Sequence, residues 1–450
     1  VGSRTAIRSL AAWAGLAAMA SLPAVSLAGA GAAAATATAP PGGRMVPAVD
    51  MGSGPLVHKI AGPDRSGGFS CQSATASDPC YGPAQIRAAY GIPGNLTGAG
   101  RTVVIIDAFR DPTIRTDVAE FDSTFGLPRV ALNIICPGRH CPTFDPTSTD
   151  QVGWTNETSL DIEWTHAIAP RATIDLVLAQ SDDDADILFA QQYVADHHLG
   201  DVLSQSFGEG ETCMEPSLFS AQHQAFVLAS REKMTMFAAA GDSGAAQGGC
   251  VGGAFFDSVG TPASDPLVTA VGGTHLDASL TTGAYQAETV WNNSDENPDF
   301  GAGGGGFSTV YPQPSYQHAA HTGSRFRGVP DVAYDADVYG GVLGVCSECN
   351  FGLQTFAVFG GTSAGTPQWA AIAALADQAA GRRLGPLNPA LYAIAAGPRY
   401  HHAFHDVTTG NNSWDVSLFT GYQAGPGWDP ASGLGSPNAA RLIKLLAGRS

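Results

Sequence analysis

Basic residues are scarce in this chain of 450 residues. Lysine and arginine together number 22, against 40 aspartates and glutamates, for a formal net charge of −18. Such a balance repels nucleic acid and anionic membrane surfaces, so neither is expected as a partner. Charge of either sign is sparse at 14%, while hydrophobic residues reach 44%; this excludes a disordered chain and describes one that buries a sizeable core. Few lysines and little charge also fit a protein that tolerates acid. Long apolar runs are nearly absent. One stands at residues 10–28, and no other is long enough to span a bilayer. Arg4 and Arg8 precede that run, Pro23 breaks it, and Ser26, Ala28 and Ala30 offer small residues for cleavage. Residues 1–30 therefore read as an export signal, and the protein is expected to be secreted, with no membrane attachment after cleavage.

Cysteine is not lacking. The eight fall in couples close in sequence, Cys71 with Cys80, Cys136 with Cys141 and Cys346 with Cys349, which leaves Cys213 with Cys250. An even count in an exported chain favours disulfides. Cys346-Ser347-Glu348-Cys349 has zinc-ligand spacing as well, although no second C-x-x-C or H-x-x-H accompanies it.

From Arg101 onward, strand-like and helix-like segments alternate. Strands are expected at 102–107, 172–178, 202–206 and 234–240, with helices at 112–125, 182–198 and 216–231. This order indicates an α/β fold with a parallel sheet covered on both faces. After Gly241 the chain reads as loop-rich. Its glycine run at 303–306 is no phosphate loop, since no G-K-[ST] follows. A helix after Ser363 and a final one at 437–446 complete one domain over 81–450. Residues 31–80 form a linker or short N-terminal segment that carries Cys71 and Cys80.

Four segments carry chemistry. Gly360-Gly361-Thr362-Ser363-Ala364-Gly365-Thr366-Pro367 opens an apolar run. A serine among small residues at a helix N-terminus is either a capping turn or an exposed nucleophile beside the helix's partial positive charge. In Asn156-Glu157-Thr158-Ser159-Leu160-Asp161-Ile162-Glu163-Trp164, apolar residues recur with helical spacing. Glu157 and Asp161, four apart, share a face, while Glu163 points elsewhere. Two such acids are either a solvated acidic face or, partly buried beside Leu160, Ile162 and Trp164, a pair that shares a proton and so raises one pKa. Phe237-Ala238-Ala239-Ala240-Gly241-Asp242-Ser243-Gly244 places an acid straight after an apolar strand. That acid is either a turn residue or, protonated, a hydrogen-bond donor to a developing oxyanion. Asp406 and Asp429 lie amid glycine-rich turns, where carboxylates and free carbonyls either are plain loops or suit Ca²⁺.

Together these segments resemble one family, the sedolisins or serine-carboxyl peptidases, which have a subtilisin-like three-layer fold. The resemblance runs from Tyr81-Gly82-Pro83-Ala84-Gln85 to the C-terminus. Its other marks are Pro262-Ala263-Ser264, Val271-Gly272-Gly273-Thr274, Gly305-Gly306-Phe307-Ser308 and Pro330-Asp331-Val332-Ala333. It implies Ser363 as nucleophile and Glu157 as general base and acid where subtilisins use histidine. Asp161 would orient Glu157, and Asp242 would stabilise the oxyanion with the Ser363 N–H. Asp107, ending the first strand, would stand near Asp161. One structural Ca²⁺ would be held by the side chains of Asp406 and Asp429 and the carbonyls of Val407, Gly425 and Gly427. None of the twelve histidines sits where the subtilisin base would; His166 is expected to be packed or on the surface.

A carboxylate base works near its own pKa, so activity is expected in acid. The expected protein is a monomeric, acid-active endopeptidase acting on proteins or peptides. A tripeptidyl exopeptidase on the same scaffold and a secreted binding protein that has lost catalysis are the alternatives. Sedolisins usually carry a large N-terminal pro-domain, whereas only about 40–50 residues separate the expected signal cleavage from Tyr81, too few for such a domain.

Overall fold

The computed structural model describes residues 43–47, 56–65, 67–73, 75–250, 253–293, 301–349, 355–414 and 419–448. The export signal and the stretch at 31–41 lie outside the described residues.

The run Val103-Val104-Ile105-Ile106 explains the architecture. All four side chains are buried, but alternate ones enter different cores. Val103 and Ile105 join Leu160, Ile162, Trp164 and Trp369 on one face of the sheet. Val104 and Ile106 join Ile187, Val194 and Phe226 on the other. A strand covered on both faces has no polar side to present, which is why it reads as a continuous apolar run.

That strand, Thr102–Ala108, lies inside the central sheet. Thr173–Ala179 pairs with it on one side, followed by Ala131–Ile135 at the edge. On the other side come Val202–Gln205, then Thr235–Ala239, then Thr269–Ala278. All these pairings are parallel. Thr269–Ala278 also pairs in parallel with Val332–Asp335 and antiparallel with Tyr285–Val290. Helices Thr149–Ile168 and Thr362–Ala380 supply the first core, and Asp184–Asp196 and Pro216–Arg231 the second. The three-layer subtilisin-like arrangement expected from the sequence is present.

One expectation needs correction. The region after Gly241 is not merely loop: Thr269–Ala278 and Val332–Asp335 complete the parallel sheet. Gly272 and Gly273 conceal the first of these strands, because Pro330 and Trp291 pack where their side chains would be. The glycine run at 303–306 is also explained. The Gly304 N–H donates to the Gly241 carbonyl at 2.7 Å, and a Cβ on Gly304 would collide with the Ala240 carbonyl. The run therefore packs its backbone against the turn that carries Asp242.

All four cysteine couples are disulfides: Cys71–Cys80, Cys136–Cys141, Cys213–Cys250 and Cys346–Cys349. The zinc reading of Cys346 and Cys349 falls with this. Among the described residues no helix is long and apolar enough to cross a membrane.

Candidate active site

Parallel strands end at a common edge, and open α/β sheets bind ligands there. Three strands deliver polar groups to it. Asp107 lies next to the end of Thr102–Ala108, Ser206 directly follows Val202–Gln205, and Asp242 follows Thr235–Ala239. Two helices of the first core meet this edge.

The Thr149–Ile168 helix begins at Ser148, whose hydroxyl accepts from the Gln151 N–H. From Val152 onward its side chains are buried, polar ones included. Glu157 and Asp161 stand one turn apart on it with no exposed surface, so the solvated-face reading is excluded. Glu163 points elsewhere and accepts from the Val345 N–H at 2.9 Å. His166 is packed, with Nε2 2.7 Å from the Pro128 carbonyl and 3.0 Å from Asp122 Oδ1.

The Thr362–Ala380 helix is capped by Gly361 at φ 86°, a left-handed conformation that favours glycine. A Cβ at Gly361 would lie 2.5 Å from Asp242 Oδ2, so conformation and space both demand glycine. Pro367 stands inside the helix and lacks the N–H that would meet the Ser363 carbonyl, so the ladder loses one bond there.

Between these elements the four expected residues converge. Ser363 Oγ donates to Glu157 Oε2 at 2.9 Å. Asp161 stands one helical turn from Glu157, and Ser206 Oγ donates to Asp161 Oδ1 at 2.7 Å. On the other side of the serine, Asp242 Oδ1 accepts from the Thr362 N–H at 2.7 Å and the Thr362 hydroxyl at 2.8 Å. Asp242 Oδ2 is buried with no hydrogen-bond partner among the described residues.

Among the described residues no positive charge is felt by these acids, and burial governs their protonation. Burial, then Asp161 and Asp107, pushes Glu157 far above the usual carboxylate range, against the lowering pull of the Ser363 hydroxyl. Burial and then Asp107 raise Asp161 in the same way. Asp107 is pushed up by burial to about 7, with Thr158 opposing. Burial likewise lifts Asp242 to about 7, against the two hydrogen bonds from Thr362. In acid Asp242 is therefore a neutral carboxyl that can donate a hydrogen bond, and the linked acids Glu157, Asp161 and Asp107 hold shared protons. This arrangement can take a proton from the serine and return it to a leaving group, with a donor poised for the charge that develops.

Sequence reading missed Ser206 and Thr362. Ser206 orients Asp161, and its carbonyl lies 3.4 Å from Ser363 Oγ; its position just past a parallel strand was a usable signal. Thr362 holds Asp242 through contacts made only across the fold, and nothing in its local sequence marks that role.

The residues expected for a metal also meet. Both oxygens of Asp406 lie 3.1 Å from the Gly427 nitrogen, and Asp429 Oδ2 accepts from the Gly425 N–H at 3.0 Å. Ser432 links Asp429 to the Val407 carbonyl. The two carboxylates and the Val407 carbonyl, oxygen donors of the kind Ca²⁺ takes, thus share one loop cluster, which Gly425 and Gly427 enter through their N–H groups.

Comparison with known proteins agrees with this geometry. The model of the Subtilase family matches residues 154–390. Kumamolisin from Bacillus sp. (strain MN-32) is 37% identical over 391 residues, covering 84% of this chain and 66% of its own. Sedolisin from Pseudomonas sp. (strain 101) is 30% identical over 396 residues, covering 85% and 64%. The chain thus spans just under two thirds of the length of these relatives. A solved structure of Pseudomonas sedolisin, a serine-carboxyl proteinase complexed with two molecules of pseudo-iodotyrostatin, superposes with a TM-score of 0.72 at 28% identity, over 83% of this chain and 99% of that one. With a matching family model, relatives along most of its length and a shared fold, the chain belongs to the subtilase family, in its sedolisin–kumamolisin branch.

Proposed function

We propose that this protein is an exported, acid-active serine-carboxyl endopeptidase that cleaves proteins or peptides. The observation that carries the reading is the hydrogen bond from Ser363 Oγ to Glu157 Oε2, with the unpartnered Oδ2 of Asp242 nearby. Glu157 takes the serine proton as Oγ attacks the peptide carbonyl. Asp161, held by Ser206, orients Glu157 and takes part of its proton. Neutral Asp242 and the Ser363 N–H donate to the oxyanion. Glu157 then protonates the leaving amine, and a water activated by the same carboxylate frees the acyl group.

Endopeptidase action is favoured by the strand that contains Val46–Pro47. It pairs with Phe207 and Gly208, directly beyond Ser206, and the chain continues N-terminally from it through Arg44 and Gly43. A substrate that followed this path would extend further from the serine than a tripeptide does. The four disulfides fit an oxidising compartment outside the cytoplasm.

The test is cleavage of a mixed peptide library from about pH 2.5 to 8 by wild type and Ser363→Ala. Internal cleavage that peaks in acid and vanishes in the variant is expected. Release of tripeptides alone would establish the exopeptidase, and cleavage undiminished in Ser363→Ala would remove the serine from the mechanism.

We also propose that Asp406 and Asp429, with the carbonyls of Val407, Gly425 and Gly427, hold one structural Ca²⁺. Bound there, the ion would fasten the C-terminal loops. Chelation is expected to lower the melting temperature by roughly 5 °C or more, with recovery on adding Ca²⁺. A melting curve indifferent to both would rule the site out.

A further inference from the structure

Residues 43–47 run as an extended segment between two edges of the body. On one edge Val46 pairs with Gly208 and Pro47 with Phe207, antiparallel. On the other, Arg44 bridges to Asp183, the Met45 N–H donates to the Asp182 carbonyl at 3.0 Å, and the Asp184 N–H donates to the Gly43 carbonyl at 3.3 Å. The segment heads toward Ser206, whose carbonyl lies 3.4 Å from the Ser363 hydroxyl. Main-chain pairing on both sides is how an extended peptide is held irrespective of sequence, and side-chain contacts then supply selectivity.

Those contacts are specific at Arg44. Its Nε donates to Asp182 Oδ1 at 3.0 Å, and its Nη2 donates to Asp182 Oδ2 at 2.7 Å and Asp150 Oδ2 at 2.8 Å. Asp182 is only 3% exposed, and Trp154 Nε1 also donates to its Oδ2, at 3.4 Å. A forked pairing with a planar guanidinium gives both strength and geometric selectivity. Next to it, a Cβ on Gly43 would lie 2.6 Å from an oxygen of both Asp184 and Glu209, so the neighbouring position accepts only a small residue.

We infer that Asp182, assisted by Asp150, is a specificity-determining residue that selects peptides with a lysine or arginine upstream of the cleaved bond, and that residues 43–47 occupy that part of the cleft as a substrate does. Continuing the register in which Pro47 faces Phe207, a substrate residue facing Ser206 stands four positions after the basic one. The inference rests on the endopeptidase reading. It gives the acidic surface a purpose, since a wall of carboxylates attracts cationic peptide.

The test is competitive cleavage, at about pH 5, of two end-blocked, internally quenched peptides that differ only in arginine or glutamine at that position. The ratio of initial rates does not depend on how much enzyme has its own segment in the cleft. Wild type is expected to favour arginine roughly tenfold, the ratio falling toward one in Asp182→Asn and part of the way in Asp150→Asn. Because Asp150 is half exposed, its variant serves if Asp182→Asn does not fold. Equal rates in wild type would overturn the subsite and leave the endopeptidase reading standing. No cleavage of either blocked peptide, with tripeptides released from free N-termini, would overturn that reading and the subsite together.

Discussion

Glu157→Gln is expected to leave a folded protein that turns over about 10⁴-fold more slowly. The amide keeps the shape of the side chain and can still meet Ser363 Oγ, which now stands 2.9 Å from Glu157 Oε2, but it cannot take the serine proton. Residues that act as one unit are not additive, so combining Glu157→Gln with Ser363→Ala should cost little beyond either change alone. Folding should not suffer. Glu157 is a buried acid facing Asp161 and Asp107 with no cation among its influences, and a neutral amide relieves that repulsion. Turnover on a quenched peptide and a melting curve for each variant check both halves. Near-normal turnover in Glu157→Gln would mean that another group accepts the proton.

The second large effect is on stability. Burial lifts Asp111 and Asp242 from an ordinary 3.8 to about 7, and it raises Glu163, Asp335 and Glu288 as well. The folded chain therefore binds these protons more tightly than the unfolded chain does. Stability from each such group is complete below about pH 4 and is lost as pH rises through its folded pKa. A shift the size of that at Asp242 corresponds to on the order of 4 kcal/mol for a group acting alone. His223 and His275 are raised by Asp265 and Asp337, and pairs of that kind also lose stability as pH rises past the histidine's folded pKa. With total stabilities of about 5–15 kcal/mol for ordinary domains, the melting temperature should be highest near pH 4 and fall by about 10 °C or more by pH 8. Calorimetry across that range decides; a flat profile would show that these acids are ionised in the fold.

Much of the fold was legible because buried parallel strands cannot hide: Val103-Val104-Ile105-Ile106 has no polar face to break the run. The strand Ala131–Ile135 escaped notice for the opposite reason. It lies at the sheet edge with Asn133 and other half-exposed positions along it, and it pairs on one side only. The helix expected from 112 begins at Ile114, because the Thr113 N–H and hydroxyl both bond Asp111 and hold that residue outside the helix. At the site, Ser363, Glu157, Asp161 and Asp242 were recognisable because each sits in a distinctive local motif. Ser206 and Thr362 act through approaches between segments far apart in the chain, which local pattern does not record. The residues read as linker include Arg44, whose partners Asp150 and Asp182 lie more than a hundred positions away; no spacing rule reaches so far.

One detail of the serine loop bears on how the protein meets heat. Asp242 is gripped by both the backbone and the side chain of Thr362, and Thr362 is bonded directly to Ser363. Ser363 and the Asp242 carboxyl are thus spaced by a single residue's covalent frame, with little left to the packing of distant helices. Thermal breathing of the surrounding layers carries the two groups together and does not pull them apart. The spacing of these two groups survives until the strand end and the helix start separate, whereas the bond from Ser363 to Glu157 crosses between two helices and depends on their packing.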